Sequence, residues 1–113
     1  MTLDEELEVA VRLVAMLRDP LRELWGRDRG LADYLRRASC NLAVAISEAR
    51  WHEGAERLKL VKQAAENASE VFSALQLAES WGHLRGPVLL DARRLLDQEL
   101  NLLSGTPATK LAG

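Results

Sequence analysis

The stretch that most constrains this chain is Leu31–Arg50, LADYLRRASCNLAVAISEAR. Leu31, Leu35, Ala38, Leu42, Ala45 and Ala49 follow one another at alternating steps of four and three. That period puts all six on one side of an α-helix, as a seam facing other helices. Half of the seam is alanine, so neighbouring helices can approach closely. A polar insertion, Arg36-Arg37 followed by Ser39, Cys40 and Asn41, interrupts the segment. This helix is expected to be the central packing element.

The rest of the chain repeats the period. Leu3, Leu7, Ala10, Val14, Leu17, Leu21 and Leu24 form a first stripe, preceded by Thr2 and Glu5 at capping-box spacing. Asp19-Pro20 falls inside that stripe. Proline disfavours helical geometry in the residue before it, so the spacing predicts a helix ending near Arg18 and a short second piece with Asp19 as N-cap and Pro20 at its first position. A kinked continuous helix is the alternative. Gly26–Gly30 is read as the first connection and Trp51–Gly54 as the second. A helix over about Ala55 to Trp81 turns Leu58, Val61, Ala65, Ala68, Phe72, Leu75 and Ala78 inward. Pro87 opens a last helix with Leu89, Ala92, Leu96 and Leu103 on one line. The expected fold is all-α, an antiparallel up-down four-helix bundle over residues 1–103. Residues 104–113, SGTPATKLAG, have no periodicity and are expected to be a disordered tail.

Composition agrees with one soluble domain: 113 residues, 48% hydrophobic and 28% charged. Fifteen basic against seventeen acidic residues leave a formal charge of −2, less basic than a dedicated duplex-binding domain. A single cysteine, Cys40, excludes an intrachain disulfide and suits a reducing compartment. The chain has no apolar run long enough to span a membrane, and its start, MTLDEELE, is acidic where a signal peptide is basic. A cytoplasmic protein without a membrane partner is expected. Leu13, Val44, Val71, Leu77 and Leu90 lie off the main seams, an apolar excess that points to self-association.

Candidate chemistry is sparse. Glu48 with His52 and Glu79 with His83 are spaced four apart, where di-iron bundles use Glu-x-x-His, and each pair closes its own helix. The intervening helix separates the pairs by roughly 40 Å at about 1.5 Å per residue, so one intrachain metal site is excluded and the histidines are read as exposed turn residues. Cys40 is read as a small buried thiol, with no catalytic role. No phosphate loop, dinucleotide fingerprint or nucleophile elbow is present, and no cofactor is expected. Trp25, Trp51 and Trp81 all fall near helix ends, where plugging the core is favoured over stacking on bases or a partner. Arg36 and Arg37, with Lys59 and Lys62, are the candidate nucleic-acid-binding residues. The competing reading is a solvated face whose arginines pair with Glu48, Glu53, Glu56 or Glu66.

The central helix also resembles a known family. Leu35-Arg36-Arg37-Ala38 followed by Ile46-Ser47-Glu48 is similar to the pattern LRRAA-x-SI-x-x-NIAEG of small bacterial helical-bundle proteins. These were first met as open reading frames in intervening sequences of 23S ribosomal RNA genes. The same family includes the accessory variability determinant of diversity-generating retroelements. Ala64, Glu66-Asn67 and Glu70 stand where the family shows A-x-GS-x-x-E. Ala78 and Trp81-Gly82-His83-Leu84 stand where it shows A-x-x-LGYL. The likeness covers about Leu31 to Leu84. Ala43, Ala45 and Ala49 replace the family's proline, asparagine and glycine, which marks a divergent member. The resemblance implies an antiparallel four-helix protomer in a homopentameric ring. In the retroelement branch such a ring binds RNA or DNA and a reverse transcriptase. Arg36 and Arg37 match the family's paired arginines, whereas Lys59 and Lys62 come from local charge. The expected function is therefore a non-enzymatic oligomeric adaptor for nucleic acid or a nucleic-acid enzyme; the alternative is a homo-oligomer that contacts protein alone.

Overall fold

A computed structural model describes residues 2–105. They form five helices and, among the described residues, no strand: α1 (Asp4–Met16), α2 (Arg18–Arg27), α3 (Arg29–Ala49), α4 (Gly54–Ser80) and α5 (Pro87–Ser104). The expected tail lies largely outside these residues. Ser104 ends α5 and Gly105 caps it.

The junction of α1 and α2 corrects the expected break. α1 ends at Met16, Leu17 keeps near-helical geometry (φ −79°, ψ −5°), and α2 resumes at Arg18. Hydrogen bonds run through the junction, from Leu17 N to Leu13 O at 3.0 Å and from Leu21 N to Leu17 O at 2.8 Å. Asp19 does not cap α2. Pro20 has no N–H for the Met16 carbonyl, so the disturbance falls one turn before the proline instead of at it. The kinked alternative is nearer to what is seen.

Two caps also differ from expectation. Thr2 and Glu5 do not form the capping box, because Leu3 is the N-cap at φ 61° and Thr2 Oγ1 accepts from the Asp4 N–H at 3.3 Å. Leu3 is nonetheless buried, so its side chain anchors the start of α1 in the core despite the left-handed backbone. The first connection is shorter than Gly26–Gly30. Asp28 alone separates α2 from α3, its Oδ1 accepting from the Leu31 N–H at 3.0 Å, an N-cap that lets the helix start at Arg29.

The α3 seam is buried at Leu35, Ala38, Leu42, Ala45 and Ala49, with Leu31 half-buried. On α4, Val61, Ala68, Leu75 and Ala78 are buried as expected, whereas Leu58, Ala65 and Phe72 are only half-buried and Leu60, Ala64, Val71 and Ala74 take core positions instead. The contact between these two helices is the largest in the molecule. α1 lies against α3 and α5, α2 against α3, and α5 also against α4. Leu13 and Val71, read as off-seam, belong to this same core. Arg50, just past α3, bonds Asp4 at the start of α1 at 2.9 Å, so the chain returns to its beginning. At the other pole the loop after α4 meets the α2–α3 junction, where His83 Nε2 lies 3.8 Å from Asp28 Oδ2. Arg93 ties α5 to α4 through Glu79 at 2.7 Å, its guanidinium over the Phe72 ring at 5.9 Å. No helix of the described residues is long and apolar enough to cross a membrane.

Candidate interaction surface

The candidate binding residues do not converge. Arg36 and Arg37 sit side by side on α3, yet both turn to one carboxylate of their own helix. Arg36 Nη2 is 3.1 Å from Asp33 Oδ1 and Arg37 Nε is 3.0 Å from Asp33 Oδ2. Their partner is therefore Asp33, where Glu48, Glu53, Glu56 or Glu66 had been expected. The two arginine side chains remain 57% and 63% exposed, and Asp33 offsets one of their two charges. Lys59 and Lys62 are exposed on α4. A surface groove pairs Asn41, Ala45 and Glu48 of α3 with Gln63, Glu66 and Asn67 of α4, which fixes the register of the two helices. In that register the arginines lie roughly 20 Å along the axis from the lysines, at about 1.5 Å per residue. Four cations are present, but they do not form one patch.

The tryptophans overturn the plug reading. Trp25, Trp51 and Trp81 are 46%, 81% and 58% exposed. Trp25 and Trp81 share a pole because Asp28 and His83 bring the end of α2 to the loop after α4. The Arg29 guanidinium lies over the Trp25 ring at 4.9 Å, and Trp81 meets His83 edge to face at 6.0 Å. Leu77, one turn before Trp81, is 43% exposed. Large apolar groups set in a charged rim are the composition of a contact surface. Trp51 stands at the opposite pole.

Cys40 is exposed, which corrects the buried-thiol reading: the seam passes through Ala38 and Leu42 and leaves position 40 outside. His52 is exposed, as expected of a turn histidine, whereas His83 is half-buried beside Asp28. Among the described residues no group of three or more His, Cys, Asp or Glu side chains could hold a metal ion.

One feature escaped the sequence reading altogether. Glu99 is fully buried, and neither carboxylate oxygen has a hydrogen-bond partner. The signal was in the sequence: Leu89, Ala92, Leu96 and Leu103 leave a gap at the next position of the row, and Glu99 fills it.

Comparison with protein-family models, with curated proteins and with solved structures finds no match to this chain.

Proposed function

We propose that this chain is a non-enzymatic, self-associating helical interaction module whose docking surface is the pole carrying Trp25, Leu77 and Trp81. The observation behind this reading is the exposure of two tryptophans at one end of a molecule whose core is filled by aliphatic side chains. Exposed tryptophans of this kind are the residues that most often act as anchors at interfaces, where covering their apolar area adds to binding. Assembly is therefore expected to shield Trp25 and Trp81 and to leave Trp51 accessible. Acrylamide quenching of a Trp51→Phe protein, whose emission comes from the other two rings, checks this. Quenching should weaken as protein concentration rises, and concentration-independent quenching would remove the pole as the contact.

In this reading α1 and α2 act as one broken rod, which makes the protomer an up-down four-helix bundle. Membership of the 23S intervening-sequence family is supported by the motifs between Leu35 and Leu84, and that family carries a homopentameric ring as the assembled form.

A second reading, nucleic-acid binding through Arg36 and Arg37, is favoured by the exposure of both guanidinium groups. Sharing Asp33 weakens it, as does the chain's charge of −2. If it holds, Arg36→Glu/Arg37→Glu lowers RNA or DNA affinity at least tenfold at low salt and flattens the salt dependence. Equal weak binding by both proteins in a filter-binding salt series would dismiss it. A reverse transcriptase would be a partner only on this second reading.

A further inference from the structure

Glu99 occupies a core position of α5 that the helical row reserves for an aliphatic side chain, with no exposure and no hydrogen-bond partner for either oxygen. Facing it from α1 is Glu6, itself 8% exposed, whose negative charge acts on it. From α3 and α4 the interior receives Leu42, Ala45 and Ile46, and Val61, Ala64 and Ala68, none of them titratable. The charged side chains of those helices near this half lie elsewhere. Glu48, Glu56, Lys59, Lys62 and Glu66 are exposed, as are Glu5 and Glu8 of α1, and Arg50 is held by Asp4. Arg57 is half-buried at the pole, beside Thr2, Asp4 and Trp51. On α5 itself, Asp97 is exposed.

A buried carboxylate with no partner is far costlier than the neutral acid. The neutral acid is therefore the form that fits the closed core. We propose that Glu99 and Glu6 form a proton-controlled latch between α5 and α1: with Glu99 neutral the two helices close over it, and its ionisation drives the end of α5 away from the start of α1. Just beyond this pair lies an open surface groove of about 480 Å³ lined by Thr2, Leu3, Glu5, Glu6, Asn101, Leu102 and Gly105. Opening would extend that groove inward.

Direction and range follow from the surroundings. Burial first, and the Glu6 charge second, push the Glu99 carboxyl up from 4.5 to about 8. The folded state thus holds this proton more tightly than the unfolded chain does. Its contribution is fully present below the ordinary carboxylate range, declines as pH rises above about 4.5, and is lost once pH passes about 8.

The test pairs a direct titration with unfolding equilibria of the full chain. In a carbon-detected NMR titration, Glu99 Cδ should move with a midpoint near 8, and the methyls of Leu3, Leu102 and Leu103 should move with it. Leu84, in the loop before α5, and Leu89, in its first turn, should not follow. Glu6→Gln should lower the midpoint. In urea, the unfolding constant of the wild type relative to Glu99→Gln should rise at least about a hundredfold between pH 5 and 9. A Cδ midpoint near 4.5, or methyls that ignore the titration, overturns the latch. Because the NMR titration uses the wild type, the decision stands even if Glu99→Gln fails to fold.

Discussion

Leu42→Ala is expected to lower the stability of this protein by about 3–4 kcal/mol, the cost of a leucine-to-alanine cavity in a core that relaxes only in part. Leu42 is fully buried at the middle of the α3 seam, between Ala38 and Ala45. Alanine neighbours have no side-chain length with which to fill the void, so the loss should sit in the upper part of the usual range. For a domain of this size it corresponds to a fall in Tm of roughly 15–25 °C. Val44, two residues further along the same helix, provides the control. It is 53% exposed, and Val44→Ala should cost under about 0.5 kcal/mol. Thermal and urea unfolding of the two variants measures the difference, and equal losses would mean that the seam does not face the core.

Ala68→Leu probes the opposite fault. Ala68 is fully buried on α4, in a row with Ala64, Leu75 and Ala78, and α4 makes its largest contact with the alanine-bearing seam of α3. Helices with small residues at their contact approach to the short end of the usual 8–10 Å spacing. Three added carbons at such a point must push the helices apart or force strained rotamers, at a cost of about 2–3 kcal/mol or more. Ser69→Leu, at the exposed neighbouring position, adds a similar side chain outside the contact and should change stability by less than about 0.5 kcal/mol. If Ala68→Leu were as well tolerated as Ser69→Leu, close helix approach would not be what the alanines provide.

These two substitutions test what the spacing of residues makes legible. The 3–4 period identified every long helix, because burial of one stripe is a property of the helix itself, but on α4 it found only Val61, Ala68, Leu75 and Ala78 of the buried face, since a strict heptad row drifts around a long helix. Ends were less readable. Whether Asp28 or Gly30 begins α3, and whether Pro20 starts a helix or bends one, depends on single hydrogen bonds that neighbouring helices permit or forbid. The tryptophans were misread for a related reason. Position near a helix end is fixed by sequence, but the direction in which a ring points is fixed by the packing of other segments around it. Cys40 shows the same limit at closer range, since it stands two positions from either Ala38 or Leu42 and is exposed, while Ser39 beside it is buried. Glu99 was legible in principle. A row read only through its apolar members passes over the polar residue that completes it.

The arginine pair shows where local pattern gives an incomplete account of charge. Arg36-Arg37 reads as two positive charges until Asp33, one helical turn earlier, is placed between them. Exposed pairs of this kind contribute little to stability, so their consequence is electrostatic: the surface offers one net charge where the dipeptide promised two.

The Trp25–Leu77–Trp81 pole is the proposed contact between copies of the chain. Sedimentation equilibrium over a wide concentration range tests it most directly. The wild type should sediment at a multiple of its 12.6 kDa chain mass, five times that mass if the proposed pentameric ring forms, and Trp25→Ser/Trp81→Ser should fall toward the single-chain value. A wild type that stays at 12.6 kDa throughout, or a double variant with undiminished mass, would contradict it.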